Sequence, residues 1–115
     1  MQRDKLFIVK PDFLDPAFPD QRFYCWHCAL MEGLLASFPD LTNTLDVERI
    51  DWPRPRMPLI DMIGEEHQSV PVLILAGDVS LALAHKHYGD YRFIDDKDTI
   101  LAALSERHGL PAPHP

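Results

Sequence analysis

Both cysteines of this chain fall in one tetrapeptide, Cys25-Trp26-His27-Cys28. Two thiols at that spacing can cycle between dithiol and disulfide, or can supply half of a tetrahedral metal site. They make a poor structural staple, because a disulfide across so short a loop removes little entropy from the unfolded chain. The residues that follow have helical periodicity, so the first cysteine stands where a loop turns into a helix. Unpaired N–H groups and the positive end of the helix dipole favour a thiolate over a thiol there. Cys25 is therefore the expected nucleophile. Cys28, one turn further on and on the apolar face, is the expected resolving thiol. The competing reading is two ordinary thiols at a helix start.

The elements that must hold the pair can be read on either side of it. Lys5 to Val9 is a short apolar run closed by Lys10-Pro11 and reads as a buried strand. Residues 11–24 carry Pro11, Pro16 and Pro19 together with Phe13, Phe18, Phe23 and Tyr24. Prolines at that density oppose regular structure, and the aromatics oppose a floppy linker. The segment reads as an ordered loop, longer than most connections, that packs near the cysteines. A helix is expected from Cys25 to about Ala36, with Cys28, Met31 and Leu35 on one face and Phe38-Pro39 as its stop. Leu45 to Asp51 reads as a second strand, and Trp52-Pro53-Arg54-Pro55-Arg56 as a rigid connector. Pro58 to Ile63 reads as a short helix stopped by Gly64.

Val70-Pro71-Val72-Leu73-Ile74-Leu75 is the most apolar run of the chain and reads as a central strand entered through a proline. Alanines and leucines between Val79 and His87 favour a short helix, and Tyr91 to Ile94 reads as an edge strand. Lys97 to about His108 reads as a helix capped by Asp95 or Asp96, with Arg107 and His108 in its last turn and Gly109 with Pro111 as its stop.

At 115 residues, 46% of them hydrophobic, the chain can form one core and one domain, taken as residues 1–115. A chain of that size folds without disulfide help, which leaves the cysteines free for chemistry. The net charge is −7, and the one local basic element, Arg54 with Arg56, is too small to be a patch. Nucleic-acid binding is not expected. No apolar run reaches membrane-spanning length, and Met1 to Lys10 lacks the apolar stretch and cleavage site of a signal peptide. The expectation is a cytoplasmic protein whose thiols rest reduced.

The order strand, helix, strand, helix, strand, strand, helix, with the CxxC at the first helix and Ser69-Val70-Pro71 before the third strand, resembles the thioredoxin/glutaredoxin superfamily. More closely, Phe23-Tyr24-Cys25-Trp26-His27-Cys28 and Phe93-Ile94-Asp95-Asp96-Lys97-Asp98 are similar to a small bacterial thioredoxin-like family, which brings no activity with it. The resemblance implies an α/β domain of thioredoxin-like fold, with a four-stranded mixed sheet and helices on both faces. It implies a cis peptide at Pro71, packed against the CxxC, and a bared Val70 backbone that pairs with an extended peptide or glutathione. His27 resembles the histidine before the second cysteine of strongly oxidising relatives, where an imidazole stabilises the thiolate of the first. The other reading is an exposed histidine without a partner.

Some features depart from that pattern. The loop before the CxxC is longer than in ordinary thioredoxins, and Trp26 stands where Gly or Pro is usual. The glycine pair of glutaredoxins and the Glu-Ser pair of glutathione transferases are missing, with Asp95 and Asp96 roughly in their place. Glutathione is left open, and no resident cofactor is expected. Trp26 either stacks on a substrate or packs beneath the proline-rich loop, and the loop's need for aromatic partners favours the second. Tyr24 and Arg22 flank the nucleophile as substrate contacts or as plain loop residues. Asp95, Asp96 and Asp98 bind a substrate amine by resemblance, or cap the last helix.

The expected function is thiol–disulfide exchange with a protein or low-molecular-weight disulfide. Cys25, Cys28 and His27 would carry the chemistry, and Tyr24, Trp26, Val70 and Pro71 would hold the substrate. Two alternatives stay open. One is a non-catalytic thioredoxin-fold module for a partner or a second copy of the chain, with the long loop covering the cysteines. The other is a metal protein in which Cys25 and Cys28 are joined by His67, or by His85 and His87. No second CxxC pair exists to complete such a site.

Overall fold

Ten regular elements alternate along the chain in a computed structural model that describes residues 2–77, 79 and 82–115. They are β1 (Asp4–Val9), β2 (Phe13–Leu14), β3 (Arg22–Phe23), α1 (Trp26–Ser37), β4 (Leu45–Ile50), α2 (Met57–Ile63), β5 (Val72–Leu75), β6 (Lys86–Tyr88), β7 (Tyr91–Ile94) and α3 (Lys97–His108). A short 3-10 turn, Pro39–Asn43, leads from α1 into β4.

The main sheet is mixed, in the order β4-β1-β5-β7-β6. β1 runs parallel to β4, from Asp4 opposite Leu45 to Val9 opposite Ile50. β5 lies antiparallel on its other side, with Phe7 opposite Val72. The C-terminal ends of β1 and β4 and the start of β5 therefore share one end of the sheet. Strands buried on both faces read as unbroken apolar runs, and alternate residues of each serve different layers. Leu6, Ile8, Leu73, Leu75 and Ile94 cluster with Cys28 and Met31 of α1 and with Ile100, Ala103 and Leu104 of α3. Phe7, Val72, Ile74 and Phe93 cluster with Leu59 and Ile63 of α2. Helices thus cover both faces, α1 and α3 on one and α2 on the other.

The sheet has five strands, one more than the four that the sequence suggests. The extra strand is β6, inside the segment whose alanines and leucines point to a helix. Residues 80 and 81 of that segment lie outside the described residues, while Lys86, His87 and Tyr88 pair with Phe93, Arg92 and Tyr91. All three β6 residues are exposed, so the strand is held by backbone pairing at an edge and carries no apolar alternation to betray it. Tyr88 also explains Gly64, the C-cap of α2. A Cβ on Gly64 would come within 2.7 Å of the Tyr88 ring, and its φ of 85° lies where only glycine is at ease.

Residues 11–24 form an ordered excursion, as their aromatics suggest. Phe13 pairs with Phe23 and Leu14 with Arg22 in a two-stranded hairpin. Phe13 stacks on Trp52, with ring centroids 5.3 Å apart and planes within 8°. The loop's aromatic partner is therefore Trp52 of the connector and not Trp26. Both α1 and α3 begin on side-chain caps, Cys25 and Asp96, and α3 ends at Gly109 in the left-handed region. Among the described residues no helix is long and apolar enough to cross a membrane.

Candidate functional site

Cys25 is the N-cap of α1. Its Sγ accepts a hydrogen bond from the Cys28 backbone N–H at 3.2 Å, the bond that a serine or aspartate oxygen makes at other helix starts. Both cysteines are free thiols. Cys25 is half-buried, whereas Cys28 is only 2% exposed and belongs to the core beside Met31. Burial pushes the Cys28 thiol up to about 12, and its hydrogen bond to the Cys25 sulfur adds to that. The Val9 backbone N–H and the Arg56 charge oppose the rise. The two sulfurs are thus unequal. One lines a cleft at a helix terminus, and the other is buried beneath it, where desolvation favours the thiol over the thiolate.

An open cleft of about 290 Å³ runs past the pair, walled by Val9, Pro11, Tyr24, Cys25, Cys28, Ala29 and Glu32. It lies where β1 ends and α1 starts. Tyr24 stands over it, 69% exposed. The one acid of the wall, Glu32, is committed to Arg49 by bonds of 2.6 and 2.8 Å, which hold its carboxyl below the usual range. Trp26, His27, Val70 and Pro71 lie outside the cleft wall. Trp26 is 67% exposed, with the His27 ring centroid 3.8 Å away and the Lys97 ammonium 5.8 Å over its face. Val70–Pro71 is a cis peptide, as the resemblance implies, and so is Arg54–Pro55. Pro71 is buried at the start of β5, and half-buried Val70 packs on the same apolar cluster as Cys25.

Arg56 is the neighbour that sequence reading missed. Its side chain reaches back to the Trp52 carbonyl with Nε at 2.9 Å and Nη2 at 2.7 Å, and Nη1 donates to the Gln68 carbonyl at 2.7 Å. The Gln68 side chain in turn accepts the Arg56 backbone N–H at 2.8 Å. The guanidinium so ties the connector to the loop leading into Val70–Pro71. It is only 7% exposed and pairs with no carboxylate among the described residues. Burial and then Arg54 pull it below the ordinary arginine value, while Cys28 and Cys25 act in the other direction. The available signal was a charge locked between Pro55 and the apolar start of α2.

A family described as a protein of unknown function (DUF3088) matches residues 3–112. The chain belongs to this family. No curated protein and no solved structure matches it. The span matched to DUF3088 holds both cysteines, the Arg56 connector and every element from β1 to α3.

In this DUF3088 chain none of His67, His85 and His87 is grouped with the two cysteines as a set of metal ligands. His67 packs on Phe93, 4.8 Å between ring centroids, and Phe93 belongs to the α2 layer, across the sheet from Cys28. His85 Nδ1 meets the Leu83 carbonyl at 2.9 Å, and His87 lies exposed on β6. Among the described residues no group of three or more His, Cys, Asp and Glu side chains is placed to hold a metal. Asp96 caps α3 by accepting from the Thr99 N–H at 2.9 Å, Asp95 pairs with Lys86 at 2.9 Å, and Asp98 pairs with Lys97 at 3.2 Å. Arg22 is exposed and pairs with Asp12.

Proposed function

We propose that this chain is a thiol–disulfide oxidoreductase built on a thioredoxin-like domain. Support for the fold comes from the parallel β1–β4 pair joined through α1, the antiparallel β5 and β7 beside it, and helices on both faces. One observation carries the function: a half-buried Cys25 on an open cleft caps a helix and accepts a hydrogen bond from the amide of a buried Cys28 one turn on. That is the division of labour disulfide exchange needs, one sulfur to attack and one to wait.

Cys25, as thiolate, attacks one sulfur of an external disulfide. A Cys25–substrate bond forms and the other substrate sulfur leaves as thiolate. Cys28 then loses its proton to solvent and attacks Cys25 Sγ, closing the intramolecular disulfide and releasing the second substrate thiolate. Two electrons pass from protein to substrate. The substrate is a disulfide, of a protein or a small molecule, that fits beside Tyr24 and Trp26. Half-exposure of Cys25 on an open cleft weighs against a module in which the loop seals the cysteines away.

The test is equilibration in glutathione redox buffers, with tryptophan fluorescence and mass as readouts. The account expects one reversible two-electron transition that removes both thiols, with a midpoint roughly between −270 and −120 mV, the range of thioredoxin-fold couples. Loss of thiols only through glutathione adducts, with no Cys25–Cys28 disulfide at any potential, overturns it.

A further inference from the structure

Next to the nucleophile stands an aromatic side chain without a ring partner. Residues 11–24 carry Phe13, Phe18, Phe23 and Tyr24. The phenylalanines satisfy one another and the connector: Phe13 stacks on Phe23 and on Trp52, and Phe18 meets Phe23 edge-on at 5.9 Å. Tyr24 joins no ring pair among the described residues and stays exposed. A tyrosine offers a large apolar ring with a polar tip, which is why the residue is enriched where partners bind.

Tyr24 borders the same cleft as Cys25 and Cys28, and Val9, Pro11 and Ala29 supply apolar walls to it. Pro11 and Ala29 are themselves exposed, so the cleft shows apolar surface to solvent. Its one acid, Glu32, is taken up by Arg49. The charges just beyond the wall are also paired, Lys10 with Asp51 at 2.9 Å and Asp12 with Arg22. On the Trp26 side, Lys97 pairs with Asp98 at 3.2 Å. Among the described residues the wall therefore presents no unpaired cation to a carboxylate, and the chain as a whole carries a net charge of −7. Glutathione, with its free carboxylates, meets no counter-charge there. The size of the cleft suits a different guest. It encloses about 290 Å³, and roughly 150 Å³ of apolar cavity is enough for a benzene ring. Trp26, His27, Val70 and Pro71 take no part in the wall, so the cleft is separate from the cis-proline turn.

We propose that this cleft is a specificity subsite for an aromatic side chain next to the cysteine of a peptide disulfide. The inference rests on the oxidoreductase reading and names the substrate class of that site, an extended apolar peptide segment and not glutathione. The guest ring packs between Tyr24 and the Ala29 face of α1, which brings the neighbouring substrate sulfur to Cys25 in the same wall. The Cys25 thiolate bonds to that sulfur as the substrate disulfide breaks, and the other substrate sulfur leaves with the electron pair as a thiolate.

Three peptides, each with its cysteine held as a mixed disulfide with thiopyridone, test this. One has the cysteine between two phenylalanines, one between two alanines, and the third is glutathione. Attack by Cys25 on the peptide sulfur releases thiopyridone, whose absorbance gives a second-order rate constant. Dividing by the rate with free dithiothreitol removes differences in intrinsic reactivity. With the wild-type protein the phenylalanine peptide should react roughly tenfold faster than the alanine peptide. The glutathionyl disulfide should react no faster than the alanine peptide. Tyr24→Ala removes the ring, and Ala29→Glu sets a charge in the apolar wall. Each should bring the phenylalanine-to-alanine ratio close to one, and the ratio cancels any change in the reactivity of Cys25 itself. Both positions are exposed, and either variant decides the matter if the other does not fold. A wild-type ratio near one, a glutathionyl disulfide that outruns the phenylalanine peptide, or a preference kept in either folded variant overturns the inference while leaving the oxidoreductase reading intact. No thiopyridone release from any of the three by the wild-type protein overturns both.

Discussion

At one end of the main sheet Asp4 is buried among cations, and at the other Arg56 is buried with no anion bound to it among the described residues. The two are 4% and 7% exposed. Asp4 opens β1, where its carboxylate accepts from Arg107 at 2.7 and 2.8 Å, from His108 Nε2 at 2.8 Å and from the Ala76 N–H at 2.7 Å. His108 Nδ1 meets Thr44 Oγ1 at 2.9 Å. One carboxylate thus links the start of β1, the end of β5, the entry to β4 and the last turn of α3. Burial alone would push the Asp4 carboxyl up, but the hydrogen bonds from His108, Arg107 and the Ala76 amide together outweigh it and hold the carboxyl well below its usual range. Among the described residues the Arg56 guanidinium meets only the carbonyl dipoles of Trp52 and Gln68. A saturated charge network holds elements together. A charge left short of its counter-ion can respond when a neighbouring group changes state.

This contrast can be broken most sharply at Asp4. Asp4→Asn leaves Arg107 and His108 without their carboxylate and should cost on the order of 3 kcal/mol in urea denaturation. The thiols of the folded fraction should react as in the wild type, because they lie at the far end of the sheet. Altered thiol kinetics in folded Asp4→Asn would show that the two ends are coupled. Acid offers the same test without mutation. The folded Asp4 carboxyl titrates below its unfolded value near 4, so its contribution is complete above that pH and is lost as pH falls through the folded value. Wild-type stability should therefore decline below about pH 4, and Asp4→Asn should show a flatter acid limb.

Smaller changes sharpen the comparison from the helices. Asp96→Ala removes the cap of α3, the helix that carries Arg107 and His108, and should cost about 1 kcal/mol in thermal or chemical unfolding. Gly33 lies exposed in the middle of α1, and a Cβ there would meet nothing within 4 Å. Gly33→Ala should raise stability by about 0.5–1 kcal/mol and leave thiol kinetics unchanged. A slower thiol reaction in that variant would mean that fraying of α1 contributes to the exposure of Cys25.

Much of the scaffold is visible in the amino-acid order because it rests on local signals. α3 carries its cap at Asp96, cations in its last turn and a stop at Gly109, and the strand at Tyr91–Ile94 lies between turn residues. α1 starts at the tetrapeptide that drew attention first. What escapes notice depends on contacts between distant segments. β6 has three exposed residues and exists because β7 offers an edge. The hairpin of Phe13–Leu14 and Arg22–Phe23 hides among prolines, and its stacking on Trp52 instead of Trp26 is a choice between two similar rings that only the fold makes. Asp4 and Arg56 look like ordinary surface charges beside apolar runs. Burial gives them their roles, and their partners Arg107 and Gln68 are remote in sequence.

The inequality of the two sulfurs is open to direct measurement by timed alkylation of the reduced native protein with iodoacetamide, followed by peptide mass mapping. The account predicts that Cys25 is modified first and that Cys28 stays protected until the protein is unfolded. Equal labelling of both residues, or a Cys25 that reacts only in denaturant, would contradict it.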